Sequence, residues 1–186
     1  MREEEQPAEF LLQHLSLFTE ASLPGPVLDL ACGDGRNGLH LARRGLPVVG
    51  MDASREALDR GRQRAKKLGI ANMRFLQRDL EREGINPLGE DRYGGILVFR
   101  YLHRPLMDCI RKALKDEGIL LYETFTVEQK RFGKPRNPLF LLEPGELPRR
   151  FRDWELLYAF EGILESPRRA MARLAARKPP EAPKTP

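Results

Sequence analysis

Residues 27–45 have the sequence VLDLACGDGRNGLHLARRG, and this stretch predicts the passage from a buried strand into a helix. The run VLDLA (27–31) is short and mostly apolar, which is typical of a strand covered on both faces. In the turn GDGRNG (33–38), glycine permits unusual backbone angles and lets a ligand approach the main chain. We expect a helix from this turn through Arg44, with Gly45 as its C-terminal cap. Because a helix start offers unpaired N–H groups to an anion, the stretch also predicts a ligand site.

Strands and helices alternate along the rest of the chain. Strands are predicted over 47–52, 73–79, 93–99, 118–125 and 154–162, and 168–177 fits either a strand or a helix. Helices are predicted over 3–18, from the N-cap Ser54 through Leu68, from Pro105 to about Lys115, and near 145–151. Strands separated by helices of about 10 to 15 residues favour an α/β fold, a doubly wound and mostly parallel sheet with helices on both faces.

Length and composition limit the class of protein. The chain has 186 residues, 41% of them hydrophobic, which suits one domain. The longest apolar pieces, such as Gly95 to Phe99, are far shorter than the roughly 20 residues that cross a bilayer. The acidic start MREEEQPAEF lacks the pattern of an export signal. Cys32 and Cys109 have no partner at metal-ligand spacing, so we expect a reduced, cytoplasmic protein with no metal site and no membrane partner.

Three segments are predicted along the chain. Residues 1–22 are expected to form an N-terminal helix that packs on the core, 23–178 the main domain, and 179–186 a Pro-rich disordered tail. The net charge is +5, and basic residues are densest toward the C-terminal end, in RRFRDW and PRRAMARLAARK. This charge fits either a solvated surface or a face that contacts RNA.

Polar residues follow the strands at the edge where ligands of such sheets bind. They are Asp29 with Gly33 and Gly35, Asp52, Asp79, Arg100 to Arg104, and Glu123. A carboxylate at Asp29 would repel a diphosphate but attract an ammonium group, which favours S-adenosylmethionine over a nicotinamide dinucleotide. Asp52 is placed to hydrogen-bond ribose hydroxyls of either cofactor. Asp79 fits an acceptor for an adenine amino group or a cap of its own loop.

Three stretches carry a family resemblance: VLDLACGDGRNGLHLARRG, VVGMDAS and FLQRDL. They resemble the successive cofactor motifs of class I S-adenosylmethionine-dependent methyltransferases, and the CGxGRN turn is similar to that of the bacterial tellurite-resistance-type methyltransferases. The resemblance covers residues 24–175. It implies a Rossmann-like, seven-stranded sheet with an antiparallel last strand, and so a strand over 168–177. Ala31 departs from the family's DxGxGxG pattern, in which a glycine usually stands there, but alanine is small enough to keep the turn.

The resemblance also implies the cofactor and its contacts. The cofactor would be S-adenosyl-L-methionine, released as S-adenosyl-L-homocysteine. The implied cofactor-binding residues are Asp29, Ala31, Gly33, Gly35, Asn37, Asp52, Ala53, Ser54, Asp79, Leu80 and Arg100. Asp29 and the glycines would line the methionine end, Asp52 the ribose and Leu80 the adenine ring.

Candidate catalytic residues follow the fourth and fifth strands, so we expect them to converge on one cleft. His103 is suited to accept a proton near neutral pH, although a structural hydrogen bond explains it equally. Arg100 and Arg104 would hold an acidic substrate or neutralise carboxylates. Glu123 would orient substrate or bind Arg100.

The segment KRFGKPRNPLF (130–140) is either a lid over this cleft, hinged at Gly133, or an ordinary crossover loop. The leading hypothesis is transfer of a methyl group to a small-molecule acceptor, at an O, N, S or metalloid atom. The alternatives are an RNA methyltransferase that uses the basic C-terminal surface, a cofactor-binding protein without catalysis, and, disfavoured by Asp29, an NAD-dependent oxidoreductase.

Overall fold

A seven-stranded sheet forms the centre of the protein in a computed structural model, which describes residues 6–20, 22–82 and 84–180. Its strands are β1 (Val27–Leu30), β2 (Val48–Asp52), β3 (Met73–Gln77), β4 (Tyr93–Phe99), β5 (Leu114–Phe125), β6 (Glu155–Glu165) and β7 (Arg168–Arg177). The strand order is β3-β2-β1-β4-β5-β7-β6, in which β1 to β5 are parallel and β7 is antiparallel to both β5 and β6. The predicted Rossmann-like sheet and the strand over 168–177 are confirmed.

Two helices precede β1, and the others lie between the strands. The helices are α1 (Glu9–Gln13), α2 (Ser16–Thr19), α3 (Arg36–Ala42), α4 (Arg55–Lys67), α5 (Leu106–Ala113) and α6 (Glu146–Arg150). The helix predicted through Arg44 ends at Ala42, and its C-cap is Arg43 instead of Gly45. Ser54 caps α4, because its hydroxyl oxygen accepts a hydrogen bond from the Ala57 N–H at 3.2 Å. None of the helices in the described part of the chain combines the length and the apolar composition that crossing a membrane requires.

The structure corrects two predicted elements. The helix expected over 3–18 is divided into α1 and α2, and residues 3–5 lie outside the described residues. The chain bends between them because Phe10 packs against Tyr158 of β6, whereas Phe18 lies beside Gly95 of β4. The segment 130–140, expected to be a lid or an ordinary crossover loop, overlaps two 3₁₀ helices, Val127–Arg131 and Pro138–Phe140. The tail beyond residue 180 lies outside the described residues.

Two apolar layers cover the faces of the sheet. Leu28 and Ile96 belong to the layer that includes α5 and α6, whereas Val27 and Leu97 belong to the layer of α1 to α4. Every residue of β1 and β4 is buried, as expected for central parallel strands. These two strands therefore hold the loops at their carboxyl ends on a rigid base.

Candidate functional site

The loop after β1 makes a left-handed turn at three residues. The φ angles are 51° at Ala31, 57° at Gly33 and 76° at Gly35. A side chain with a Cβ raises the energy of this conformation by roughly 1 to 2 kcal/mol, so Ala31 is strained where the two glycines are not. The turn that the sequence predicts is therefore present in spite of Ala31.

The glycines of the turn serve different purposes. A Cβ at Gly35 would approach the ring of Phe75 to 2.8 Å, so Gly35 lets the loop pack against β3. A Cβ at Gly38 would lie 2.9 Å from the Oδ2 atom of Asp29. A Cβ at Gly33 would meet no atom of the described residues within 4 Å. The loop is thus packed against the protein at Gly35 and Gly38 and open at Gly33.

Asp29 lies beneath this turn and is only 1% exposed. Its Oδ2 atom accepts a hydrogen bond from the Gly38 N–H at 2.8 Å, which ties β1 to the first turn of α3. Burial raises the pKa of Asp29 to about 7. The carboxyl group is therefore near the midpoint of its titration at neutral pH, and a nearby cation would favour its ionised form.

Asp52 joins the loops after β1 and β2. Its Oδ2 atom accepts from the Gly33 N–H and its Oδ1 atom from the Ser54 N–H, both at 2.8 Å. A carboxylate offers about four lone-pair sites, so acceptor capacity remains for ribose hydroxyls. The neighbouring Ala53 is exposed, and its carbonyl oxygen accepts from the Gln77 side chain at 3.1 Å.

The two residues predicted beside adenine differ in environment. Asp79 is exposed, and its Oδ1 atom accepts from the Glu81 N–H at 3.0 Å, which is the loop-capping alternative. Leu80 is buried and lines a cavity of about 320 Å³. Glu81 and His103 also line this cavity, and we call it the His103 cavity.

Asn37 fixes the N-terminal segment. Its Oδ1 atom accepts from the Ala8 N–H at 2.8 Å, and its side chain is buried. Arg36, which precedes it, donates to the carbonyl oxygen of Gln6 at 3.3 Å. Asn37 thus contacts the chain itself, and sequence spacing gave no signal for this partner, 29 residues away.

His103 lines a different cavity from Arg100 and Glu123, so the structure does not bring these candidates into one cleft. Arg100 and Glu123 line a cavity of about 230 Å³, the arginine cavity, together with Arg36, Arg169 and Arg173. His103 lines the His103 cavity instead, because the chain turns at a left-handed Arg100 (φ 56°) and buries Leu102 before His103.

Glu123 and Arg104 have partners that the sequence did not reveal. The Oε2 atom of Glu123 accepts from Nε of Arg173 at 2.6 Å, and both side chains are buried, so the expected pairing with Arg100 is replaced. Arg104 donates to both carboxylate oxygens of Glu146, at 2.8 and 2.7 Å, and to the carbonyl oxygen of Leu141. Arg104 therefore neutralises a carboxylate.

A cavity of about 590 Å³ lies between the ends of β4 and β5 and the loop 134–140, and we call it the aromatic cavity. Its apolar lining residues are Tyr101, Leu102, Phe125, Pro135 and Phe140, and its basic ones are Arg100, Lys134 and Arg136. Of these lining residues, Arg100 was predicted from the sequence as a site residue, and the segment 130–140 was predicted as a lid or an ordinary loop. The aromatic residues in FRYLHRP and KRFGKPRNPLF, segments without helical or strand periodicity, were the available signal.

Comparison with known proteins identifies the family. Residues 27–118 match the family model described as a methyltransferase domain, which spans the glycine turn and β1 to β4. This chain belongs to the class I S-adenosylmethionine-dependent methyltransferases. The matched region thus includes Asp29, Asp52 and the loop that joins β1 to α3.

Relatives of this methyltransferase differ in what they act on. The 2-heptyl-1-hydroxyquinolin-4(1H)-one methyltransferase of Mycobacteroides abscessus is 33% identical over 48% of this chain and 38% of its own length. The 23S rRNA (uracil(1939)-C(5))-methyltransferase RlmD of Alkalilimnicola ehrlichii is 46% identical over 29% of this chain and 12% of its own length. This chain spans less than half the length of these curated relatives.

The fold is shared with TehB from Haemophilus influenzae. The TM-score is 0.68 with 23% identity, over 89% of this chain and 62% of TehB. At this identity the likeness establishes the fold alone.

Proposed function

We propose that this chain transfers a methyl group from S-adenosyl-L-methionine to a small-molecule acceptor. The observation that carries the proposal is the left-handed turn at Gly33 and Gly35, bordered by the carboxyl groups of Asp29 and Asp52, inside the region that matches the methyltransferase domain. We propose that residues 23–178 form the catalytic domain, on which the described N-terminal residues 6–20 pack.

The residues present fit the cofactor. The buried Asp29 carboxyl, with its raised pKa, suits the ammonium group of the methionine part, which would favour its ionised form. Asp52 retains acceptor capacity for ribose hydroxyls, and Leu80 offers an apolar wall for the adenine ring. When bound, the cofactor supplies an electrophilic methyl group on a sulfonium.

The residues around this methyl group act chiefly by alignment, since in-line displacement from a good leaving group depends on geometry. Arg100 directly follows β4 and lines both the arginine cavity and the aromatic cavity, which supports a role in holding an acidic group of the acceptor. We infer that Glu123 is a positioning residue, because it forms an ion pair with Arg173 and both side chains line the arginine cavity. His103 lines a cavity that does not include Arg100, which disfavours it as the base.

The basic C-terminal end supports a small-molecule acceptor over RNA, because much of its charge is already paired. The pairs are Arg150 with Glu146, Arg168 with Glu165, Arg173 with Glu123, and Arg177 with Glu155. A covalent route to a C5-methylated pyrimidine needs a thiolate. Burial, and next the charge of Asp29, raise the pKa of the Cys32 thiol, so it stays protonated.

Calorimetric titration with S-adenosyl-L-homocysteine tests the proposal. We expect saturable binding by the wild type, weaker binding by Asp52→Asn, and unchanged binding by Asp59→Asn, an exposed aspartate on α4. Absence of saturable binding at millimolar ligand would refute the proposal. Cofactor binding without transfer of label from S-adenosylmethionine to any component of a cell extract would instead support a non-catalytic protein.

A further inference from the structure

The aromatic cavity lies at the same edge of the sheet as the cofactor residues. Arg100 directly follows β4, and Phe125 is the last residue of β5, so the cavity adjoins the carboxyl ends of these strands. Its volume of about 590 Å³ is in the range typical of small-molecule sites. The geometry points to this cavity as the acceptor site. The acceptor that fits it has an apolar body about the size of a ring and an anionic thiolate or oxyanion, and this anionic atom receives the methyl group. This inference rests on the proposed function and names its acceptor class.

The apolar lining of the cavity argues for the body of the acceptor. Tyr101 and Phe125 contribute from the sheet side, and Phe140 contributes from the loop although it is 48% exposed. An exposed ring beside an apolar cavity is typical of a binding site, since a bound ligand would cover it. The backbone next to this ring is fixed, because Arg104 donates to the carbonyl oxygens of Leu139 and Leu141. The wall is therefore in place without the ligand.

The charges of the cavity argue for the anionic group. Arg100, Lys134 and Arg136 line it, and none of its lining residues in the described part of the chain carries a carboxylate or an imidazole. Within residues 6–20, 22–82 and 84–180, the side chains of these three cations form no ion pair. Cations within a few ångströms favour the charged form of an acid and disfavour that of an amine. The cavity therefore selects an acid over an ammonium compound.

The same lining determines how the acceptor loses its proton. Because no base lines the cavity among the residues that the structure describes, an acidic S–H or O–H group releases its proton to solvent, and the three cations lower its pKa. The acceptor's anionic sulfur or oxygen then gives an electron pair to the methyl carbon. The bond from this carbon to the sulfonium sulfur breaks, and the sulfur keeps the bonding pair. A cation and an anion thus yield two neutral products.

A binding experiment separates the two parts of the acceptor. Naphthalene-2-sulfonate has the apolar body and the anion, naphthalene-2-methanol has only the body, and methanesulfonate has only the anion. In calorimetry with the full chain and saturating S-adenosyl-L-homocysteine, we expect the first to bind at least about tenfold more tightly than either other probe.

Variants place this binding in the cavity. We expect Phe140→Ala and Arg136→Gln each to weaken naphthalene-2-sulfonate binding about fivefold or more. The matched controls, Leu139→Ala at a 68% exposed neighbour and Arg152→Gln at an exposed arginine outside the cavity, should leave it unchanged. Equal effects of the cavity and control variants would overturn the inference.

Turnover tests the reacting atom. With methyl-labelled S-adenosylmethionine, we expect naphthalene-2-thiol to be methylated and naphthalene-2-methanamine not. Methylation of the amine at an equal rate would overturn the inference. If S-adenosyl-L-homocysteine binds but naphthalene-2-sulfonate does not, the inference is overturned and the proposed function stands. If S-adenosyl-L-homocysteine itself does not bind, both are rejected.

Discussion

Replacing Asp29 by asparagine is expected to remove a large part of the pH dependence of stability. Asp29 is 1% exposed, and burial raises its pKa to about 7. The hydrogen bond from the Gly38 N–H to Oδ2 can be kept by the amide oxygen of asparagine, which has nearly the same shape. The substitution therefore removes the ionisation and leaves the packing in place.

The direction follows from the proton balance. The unfolded aspartate has a pKa of about 3.9, well below that of the folded one. Between these two values the folded state retains a proton that the unfolded state has lost, so the free energy of unfolding falls as the pH rises toward about 7. Integrated from about pH 5 to about pH 8, the wild type loses about 2 to 3 kcal/mol through this group. The asparagine variant loses nothing at this position.

Urea denaturation followed by circular dichroism, at about pH 5 and about pH 8, measures this change. The stability of Asp29→Asn relative to the wild type should rise by about 2 to 3 kcal/mol between the two pH values. Asp59→Asn, on the exposed face of α4, should show no such rise. A difference between Asp29→Asn and the wild type that stays constant with pH would refute the assignment of a raised pKa to Asp29.

Three further predictions concern the loop and the arginine cavity, and urea denaturation tests each of them. Ala31→Gly should raise the free energy of unfolding by about 0.5 to 1 kcal/mol, because φ is 51° there; a loss of stability would contradict the strain. Gly35→Ala should lower the free energy of unfolding by about 1 to 3 kcal/mol more than Gly33→Ala does, because of these two positions only Gly35 would bring the new Cβ against another described side chain. Equal losses for the two variants would contradict this packing. Glu123→Gln should lower the free energy of unfolding by about 3 to 5 kcal/mol by leaving Arg173 buried without its partner, and a loss below about 1 kcal/mol would contradict the buried ion pair.

The parts of the fold that depend on residues close together in the sequence were predictable. The strand at 27–30, the turn after it and the cap at Ser54 each arise from local patterns of apolar residues, glycine and a short hydroxyl side chain. The acidic residues at the carboxyl ends of β1 and β2 were also found, because the carboxyl ends of parallel strands share one edge of the sheet.

The partners of several site residues were not predictable, because they come from distant parts of the chain. Asn37 bonds Ala8, and Glu123 pairs with Arg173, 50 residues along the chain. No periodic pattern marks such pairs. The aromatic cavity was missed for a similar reason, since half of it comes from the loop 134–140, whose path is set by long-range contacts such as those made by Arg104.

The central claim is that the turn between Asp29 and Asp52 holds S-adenosylmethionine. Amide NMR spectra of ¹⁵N-labelled protein, titrated with S-adenosyl-L-homocysteine, test it most directly, because the Gly33 and Ser54 N–H groups both donate to Asp52. We predict that these two amide signals and that of Leu80 shift and saturate together. Saturable shifts confined to other parts of the chain, with Gly33 and Ser54 unmoved, would contradict the claim.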